Sequence, residues 1–413
     1  MKHFNTRDGA LFAEGVALEH IAATYGTPTF VYSRAALEEA HAGYASALAG
    51  RDTMLCYAVK SNSNLAILNV FARLGTGFDI VSGGELARVI AAGGDPGRVV
   101  FSGVGKTRDE MRAALEHGIY CFNVESEPEL YRLAEVAGSM GKRAPIALRV
   151  NPDVDPKTHP YISTGLKCNK FGVPISGAHA LYLAAAKLPQ LEIRGIACHI
   201  GSQLLDPAPV AEAAAKVVSL AEALNRDGIE LRHLDLGGGL GIRYDDEAVP
   251  ATRDYLAPLL QVLAGRKERL LLEPGRSLVG NAGVLLSRVE YLKRGEDRNF
   301  AIIDAAMNDL ARPALYDAWH RIAEVRPRGQ VERYDVVGPV CESGDFLGRA
   351  RDLALEPEAL VAIFSAGAYG MTMSSNYNTR ARAAEVMVDG GQCHLIRERE
   401  RIAHLYAGEH LLP

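Results

Sequence analysis

One lysine of the sequence stands where its amine could attack a carbonyl group. The apolar run 54–59 ends in Lys60, and the polar residues 61–64 follow it directly. The run predicts a buried strand, and the polar residues predict a turn that begins the next helix. A lysine at the carboxyl end of a core strand is partly desolvated, which frees its amine for nucleophilic attack. In isolation this stretch favours the alternative, a lysine that simply leaves the strand into water.

Two other segments carry residues suited to an anion. The glycine-rich run 237–241 lets backbone N–H groups approach a ligand closely. In residues 273–276, Arg276 offers a charged donor for phosphate or carboxylate. A glycine-rich run is by itself more often a tight turn than a ligand site. Both segments, however, follow strand-like runs, as Lys60 does, so one sheet could bring all three together.

Two further polar side chains follow predicted strands, and each has two interpretations. His199 could be a hydrogen-bonded core histidine, or it could pack on a flat cofactor ring. Glu273 could be a solvated turn residue, or its carboxylate could pair with a protonated ring nitrogen. A lysine amine, an anion site, a ring partner and a carboxylate together predict pyridoxal 5'-phosphate (PLP) bound as a Schiff base. This chemistry needs no metal.

The elements that must position these residues alternate between strand and helix. Helical patterns separate eight strand-like runs, at residues 54–60, 78–82, 99–102, 121–124, 146–150, 193–200, 231–236 and 270–273. The alternation predicts an α/β fold, a (β/α)8 TIM-type barrel, in which chemistry occurs at the carboxyl ends of the strands. Phosphate commonly binds the loops after strands seven and eight, where both anion segments fall. A doubly wound open sheet is the alternative, but no nucleotide fingerprint follows the first strand.

The pattern changes after residue 276, where short strand-like runs alternate with Gly, Asp and Asn turns. We therefore expect a PLP-binding barrel over residues 27–277 and a mostly β C-terminal domain over 278–413. Residues 1–26 are expected to join the β domain. The run 29–32 predicts a first strand, followed by a helix.

Composition narrows the class of protein and its partners. The 413 residues are 48% hydrophobic and 23% charged with a net charge of −5, which is typical of a soluble globular protein. The absence of a long basic cluster argues against nucleic acid, and no apolar segment predicts a signal peptide or membrane span. Six scattered cysteines without a Cys-x-x-Cys pair predict reduced thiols in the cytoplasm rather than a zinc site.

Four motifs resemble the barrel-type PLP decarboxylases, which include ornithine, arginine and diaminopimelate decarboxylases: residues 57–60 (Tyr-Ala-Val-Lys), 199–202 (His-Ile-Gly-Ser), 237–241 and 273–276 (Glu-Pro-Gly-Arg). Other motifs resemble the diaminopimelate branch in particular: residues 308–316, 341–345, 366–371, 375–378 and the long loop 151–172, with its motif 164–172. The resemblance covers nearly the whole chain. Ser61, where an alanine is common in the family, is a conservative departure.

The resemblance implies roles for the matched positions. Lys60, Cys341 and His199 would be catalytic, with Lys60 carrying PLP. The cofactor would contact Lys60, His199, Ser202, Gly239, Glu273, Pro274, Gly275, Arg276 and Tyr369. The substrate would contact Arg276, Arg312, Tyr316, Glu342 and Tyr369. The family works as a homodimer with shared active sites, in which Cys341 would donate a proton from the partner subunit.

The implied reaction is decarboxylation of meso-2,6-diaminopimelate to L-lysine and CO2, the last step of lysine biosynthesis. Arg312 could clamp the distal carboxylate of this substrate, and Glu342 could meet its distal ammonium. Ornithine lacks that carboxylate, so an ornithine enzyme has no use for Arg312. Cys341 stands near Glu342 and Asp345, which favours a protonated thiol suited to proton donation.

Three other functions remain open from the sequence. An ornithine or arginine decarboxylase would share the barrel motifs. An amino-acid racemase needs acid–base groups on both faces of the reacting carbon, and the sequence shows no clear second base. A non-enzymatic PLP-binding protein could be a barrel alone and would not need the Arg312 and Cys341 motifs.

Overall fold

The computed structural model describes residues 2–155 and 170–413. Residues 156–169 of the loop predicted at 151–172 therefore lie outside the described residues. The strands are β1 (Phe4–Arg7), β2 (Ala10–Ala13), β3 (Val16–Ala17), β4 (Thr29–Ser33), β5 (Thr53–Ala58), β6 (Gly77–Ile80), β7 (Val99–Phe101), β8 (Cys121–Val124), β9 (Ala144–Asn151), β10 (Val173–Pro174), β11 (Leu191–Ala197), β12 (His233–Asp235), β13 (Arg269–Leu272), β14 (Gly283–Arg294), β15 (Asn299–Ile303), β16 (Ile322–Glu324), β17 (Val331–Val337), β18 (Phe346–Ala354), β19 (Leu360–Ile363), β20 (Ala384–Asp389) and β21 (Gln392–Arg397). The helices are α1 (Leu18–Tyr25), α2 (Arg34–Ala47), α3 (Leu65–Arg73), α4 (Gly83–Ala91), α5 (Arg108–His117), α6 (Glu127–Ser139), α7 (Ile175–Ala185), α8 (Ala208–Arg226), α9 (Thr252–Val262), α10 (Arg276–Val279), α11 (Arg312–Tyr316) and α12 (Ile402–Leu405).

The first compact unit, here called the barrel unit, comprises His41–Ile242 and Ala248–Ser277. Its parallel strands follow the order β5-β6-β7-β8-β9-β11-β12-β13. The last strand pairs with the first, with Leu271 beside Met54, so the sheet closes into a barrel of eight strands. The predicted (β/α)8 barrel is confirmed, and the alternative of an open sheet is wrong.

The apolar character of the strands suits their place in the barrel. Every residue of β6, β7, β8, β9 and β12 is buried, which is the pattern of parallel strands that are covered on both faces. Polar caps then begin the helices immediately after several strands. Asn64 accepts from the backbone N–H of Ala66 at the start of α3, and Ser82 caps α4 in the same way. Short capped turns therefore hold the residues that follow each strand at one end of the barrel.

The second compact unit, here called the β unit, comprises Met1–Ala40, Arg243–Glu247 and Leu278–Pro413. Its main sheet follows the order β18-β17-β15-β14-β4-β20-β21, with β19 also paired to β14 and β16 paired to β19. Strands β1, β2 and β3 form a small antiparallel sheet of their own. Their apolar side chains share one core with the main sheet, in which Phe4 and Leu11 pack with Val284 and Leu286. The mostly β character predicted for the C-terminal part is confirmed.

The barrel was expected to begin at residue 27, and the structure differs there. Strand β4 is buried along its whole length, and it pairs with β14 on one edge and β20 on the other. A closed barrel has no free edge to accept an additional strand, so β4 lies in the sheet of the β unit. The segment Arg243–Glu247 also belongs to the β unit, although it lies within the span predicted for the barrel.

Two general properties of the described residues bear on the sequence analysis. None of the helices in the described ranges is both long enough and apolar enough to cross a membrane. Five cysteines lie in those ranges, and all five are free thiols: Cys56, Cys121, Cys198, Cys341 and Cys393.

Candidate active site

Lys60 lies in a single helical turn directly after β5, at the carboxyl end of the first barrel strand. Its Nζ is 2.5 Å from Oδ2 of Asp79, which is fully buried in β6. The Lys60 side chain is 39% exposed, so the amine meets a buried carboxylate while a path to solvent remains. Lys60 therefore does not simply leave the strand into water, which was the alternative from the sequence.

The glycine-rich loop after β12 forms a cradle that side chains would fill. Gly237 and Gly239 have φ angles of +66° and +116°, which favour glycine. A Cβ atom on Gly237 would lie 2.6 Å from Nδ1 of His199, and one on Gly238 would overlap the carbonyl of Glu273. The backbone of this loop therefore approaches its neighbours closely, as an anion-binding loop must.

Arg276 and Ser202 connect two other loops of the barrel unit. Arg276 begins α10 after β13 and is 5% exposed, while Ser202 lies in the loop after β11. The Nε and Nη2 atoms of Arg276 both lie 3.2 Å from Oγ of Ser202, to which they donate hydrogen bonds. Pro274 and Gly275 bring the chain to this point, and a Cβ atom on Gly275 would lie 3.0 Å from Oγ of Ser61. A guanidinium and a hydroxyl held together in this way suit a phosphate group.

His199 is a half-buried residue whose surroundings favour a neutral imidazole. The backbone N–H of Gly238 donates to Nδ1 of His199 across 3.3 Å, so Nδ1 is an acceptor. Burial lowers the pKa of His199 well below its usual value, and the charges of Arg149 and Lys60 lower it further. An uncharged ring beside the glycine-rich loop suits packing against a flat cofactor ring.

Glu273 is half-buried and lies near two buried acids, Asp79 and Asp235. Nδ2 of Asn123 lies 3.3 Å from Glu273 Oε1 and 3.2 Å from Asp235 Oδ2. Burial raises the pKa of Glu273 well above its usual value, the charges of Asp235 and Asp79 raise it further, and Lys60 opposes them. Burial also raises the pKa of Asp235. The raised pKa values of Asp235 and Glu273 disfavour ionisation of both at once, so a protonated ring nitrogen would suit Glu273 as a partner.

In the β unit, Arg312 begins α11 and is 7% exposed. Its Nη1 donates to Nε2 of His320 across 2.9 Å, and its Cζ lies 4.7 Å from the centre of the Tyr244 ring. Tyr316 ends the same short helix. The structure thus holds the guanidinium of Arg312 in a fixed place instead of leaving it on a solvated surface.

Cys341 and Glu342 lie in the connection between β17 and β18, and both are exposed. The carboxylate of Asp345 accepts from the backbone N–H groups of Met307 and Val340, at 2.7 and 2.8 Å. Asp345 is buried, so it shapes this connection and ties it to the segment that precedes Arg312. The backbone N–H of Cys341 donates to Oδ1 of Asn378 across 2.9 Å.

Tyr369 has a φ angle of 56°, in the left-handed region that non-glycine residues seldom adopt. Such backbone strain persists only where the surrounding structure enforces it, and it concentrates at functional sites. This observation adds to the role that the sequence resemblance implies for Tyr369.

The structure therefore places the expected residues in two groups. The barrel unit brings together Lys60, His199, Ser202, Gly239, Glu273, Pro274, Gly275 and Arg276 at the carboxyl ends of its strands. The β unit holds Arg312, Tyr316, Cys341, Glu342 and Tyr369.

Sequence reasoning missed five residues that support these groups: Asp79, Asn123, Asp235, Tyr244 and His320. Asn123 and Asp79 stand within otherwise apolar strands, and a buried polar residue in such a strand is a usable signal. Asp235 ends the short strand β12, and the sequence analysis did not pair Asp79 with Lys60. Tyr244 and His320 stand in no motif that would have marked them.

A closed barrel with a lysine after its first strand and an anion cradle after its last two is the arrangement expected of a PLP-binding protein. Residues 34–280 match the family described as pyridoxal-dependent decarboxylase, pyridoxal binding domain, and the chain belongs to this family. It is 61% identical to diaminopimelate decarboxylase of Pseudomonas aeruginosa over 414 aligned residues, which cover 100% of both chains.

Solved structures are similar over almost the whole chain. The diaminopimelate decarboxylase of Helicobacter pylori in complex with L-lysine has a TM-score of 0.92 and 43% identity, covering 95% of this chain and 99% of that one. The diaminopimelate decarboxylase of M. jannaschii in co-complex with L-lysine has a TM-score of 0.95 and 38% identity, covering 99% of this chain and 98% of that one.

Proposed function

We propose that this chain decarboxylates meso-2,6-diaminopimelate to L-lysine and CO2 with PLP as its cofactor, the last step of lysine biosynthesis. The observation that carries the proposal is the buried, held guanidinium of Arg312, because it suits a substrate with a second carboxylate. The full-length relative from Pseudomonas aeruginosa, named diaminopimelate decarboxylase, supports the same substrate.

The barrel residues fit the cofactor. When bound, PLP supplies an electron sink for the bond that breaks. The amine of Lys60 would hold the cofactor covalently, while Ser202, Gly239, Gly275 and Arg276 would surround its phosphate. Pro274 and Tyr369 are further proposed contacts.

Two barrel residues would control the charge of the cofactor ring. Glu273 would ionise when a protonated ring nitrogen faces it, because the new positive charge opposes the effects that raise its pKa. His199 would pack against the ring without adding charge, because burial keeps its imidazole neutral.

Residues of the β unit would select the substrate. Arg312 would bind the carboxylate that stays, and Glu342 would bind the ammonium at the same end of the substrate. Tyr316 and Tyr369 would complete the contacts, together with Arg276. Ornithine and arginine offer no second carboxylate for Arg312, so they would bind weakly.

Loss of CO2 leaves a carbon that must take up one proton. Cys341 is the proposed donor, since its exposed thiol stands on the connection that Asp345 shapes. We infer that the chain acts as a homodimer with shared active sites, in which the proton comes from the Cys341 thiol of one subunit and Lys60 belongs to the other. The family resemblance supports this arrangement.

We further infer that the protein works in the cytoplasm, because its cysteines are scattered, and five of the six are free thiols in the described residues. Its partners would be the amino-acid substrate and a second copy of the chain, not nucleic acid or a membrane.

The test is release of CO2 from meso-diaminopimelate, ornithine and arginine, measured with and without added PLP. We expect release from diaminopimelate alone, dependent on PLP, and no release by the Lys60→Ala variant. Faster release of CO2 from ornithine or arginine would show that the proposed substrate is wrong. Conversion between stereoisomers without CO2 release would indicate a racemase, and bound PLP with no turnover of any substrate would indicate a binding protein.

A further inference from the structure

His320 is a buried histidine whose two ring nitrogens have partners of opposite kinds. It precedes β16 and is fully buried. One nitrogen, Nδ1, lies 2.8 Å from the carbonyl oxygen of Phe364, which can only accept, so Nδ1 carries the proton. The other, Nε2, lies 2.9 Å from Nη1 of Arg312, which can only donate, so Nε2 is the acceptor. The two contacts therefore define a neutral imidazole in a single tautomer.

Tyr244 contacts the same guanidinium from another direction. The Cζ atom of Arg312 lies 4.7 Å from the centre of the Tyr244 ring, within the range of a cation–π interaction. The Tyr244 and His320 rings meet edge to face, with centres 5.1 Å apart and planes at 81°. Arg312 is thus fixed by the face of one ring and by the lone pair of another.

The His320 ring and the backbone just before Tyr244 both contact one short segment, residues 364–365. His320 bonds to the carbonyl of Phe364, and the backbone N–H of Phe364 donates to the carbonyl of Arg321 across 2.8 Å. The hydroxyl of Ser365, the next residue, donates to the carbonyl of Arg243 across 3.2 Å, directly before Tyr244. Strand β19 ends immediately before this segment and pairs with β16, which holds His320 in register. His320 and Tyr244, which are distant in sequence, are therefore supported by the same short segment.

We infer that His320 and Tyr244 position Arg312 for the carboxylate that the substrate keeps, and so determine substrate selectivity. This inference rests on the proposed function. A neutral acceptor orients the guanidinium without cancelling its charge, whereas an aspartate or glutamate in place of His320 would compete with the substrate carboxylate. His320 and Tyr244 are positioning residues, because they act through Arg312.

Two substitutions separate the two hydrogen bonds of His320. His320→Asn keeps a donor near the position of Nδ1 but offers no acceptor to Arg312. His320→Gln places an amide oxygen near the position of Nε2 and so restores the acceptor. A hydrogen bond to a charged group corresponds to about a ten- to hundredfold change in binding. We expect His320→Asn to raise KM for meso-diaminopimelate by that factor with kcat nearly retained, and His320→Gln to recover most of the loss.

Inhibition by two amines distinguishes positioning from a general structural role. L-lysine retains the carboxylate that the reaction leaves in place, and cadaverine is the same chain without it. We expect His320→Asn to weaken inhibition by L-lysine about ten- to hundredfold and to leave inhibition by cadaverine unchanged. Equal weakening for both amines would overturn the inference, as would a His320→Gln variant no better than His320→Asn.

Tyr244→Leu gives a second, independent measurement if His320→Asn does not fold. This variant removes the aromatic face and should also weaken inhibition by L-lysine more than inhibition by cadaverine. An unchanged ratio of the two inhibition constants would overturn the inference. The wild-type assay tests the proposed function separately from the positioning role of His320 and Tyr244. A wild-type chain that releases no CO2 from meso-diaminopimelate overturns the proposed function and the inference with it. An active wild type with unselective variants overturns the inference alone.

Discussion

Lys106 is a buried cation whose removal should destabilise the barrel unit strongly. It follows β7, and its side chain is 0% exposed. Its Nζ donates to the carbonyls of Gly103 and Asn123, at 2.8 Å each, and to Oε1 of Glu129 at 2.7 Å. An ammonium group has three N–H donors, and these three acceptors use all of them. The same Asn123 contacts Glu273 through its side chain, so this contact joins the support of the barrel to the candidate site.

The expected loss is large because Glu129 would remain buried without its cation. Breaking a buried ion pair by removing one partner costs about 3–5 kcal/mol. We therefore expect Lys106→Met, which keeps a similar length, to lower the free energy of unfolding of the barrel unit by about 4 kcal/mol. The matched control is Arg112→Met, whose partner Asp109 lies 2.7 Å away on the surface. Such exposed ion pairs contribute about 0–1 kcal/mol to stability, so Arg112→Met should change the free energy of unfolding little.

The loss of stability caused by Lys106→Met should also depend on pH. Burial raises the pKa of Glu129 above its ordinary value of 4.5, and the charge of Lys106 opposes this effect. Without Lys106 the folded pKa rises further above the unfolded one, so the protonated acid is the form that folding favours. The destabilisation of Lys106→Met should therefore be smallest near pH 4.5 and should grow as pH rises through the raised pKa.

Urea unfolding followed by far-ultraviolet circular dichroism measures this effect. The sequence contains one tryptophan, Trp319, which lies in the β unit, so its fluorescence reports on the other part of the chain. The double variant Lys106→Met/Glu129→Leu should be more stable than Lys106→Met alone, because it leaves no uncompensated charge. Equal losses for Lys106→Met and Arg112→Met, or a loss independent of pH, would refute the reasoning.

Three further predictions concern the candidate site. Lys60→Ala should abolish the lysine-linked PLP adduct that borohydride reduction traps in the wild type, and an adduct at another lysine would contradict the assignment. Arg312→Ala should lower kcat/KM for diaminopimelate by about two to three and a half powers of ten, since it unpairs a buried charge. Weak activity on lysine-like amines without the second carboxylate should change little, and equal losses would indicate a role in folding or cofactor binding. A mixture of Lys60→Ala and Cys341→Ala chains should regain roughly a quarter of wild-type activity, because half the dimers carry one intact site of two. Tagged chains serve as the control for subunit exchange, and exchange without any regained activity would argue against shared sites.

Much of the barrel was predictable from the sequence because its signals are local. Strands buried on both faces are continuous apolar runs, and capped turns mark where each helix begins. The rule that chemistry lies at the carboxyl ends of barrel strands then located Lys60 and the two anion loops. The loop glycines carried their own signal, since Gly237 and Gly239 adopt the positive φ angles that favour glycine.

Strand β4 was misplaced for a physical reason. Its five residues are buried, and by composition alone they resemble a barrel strand as closely as those of β5. Which sheet accepts a strand depends on which edges are open, and that is settled only when the barrel closes. The place of the segment 243–247 was equally hidden from the sequence, because nothing in its composition indicates that it joins the β unit.

The sequence by itself determined the alternation of strands and helices and the polar residues that follow several of the strands. The tertiary structure alone decided which of these residues meet. Asn123 and Glu273 are 150 positions apart and share a hydrogen bond, and the carbonyl of Arg243 meets Ser365 across 122 positions. Hydrophobic periodicity and capping act over a few residues, whereas such contacts depend on barrel closure and strand register. Barrel closure and strand register arise from the summed packing of the whole core, which no local pattern encodes.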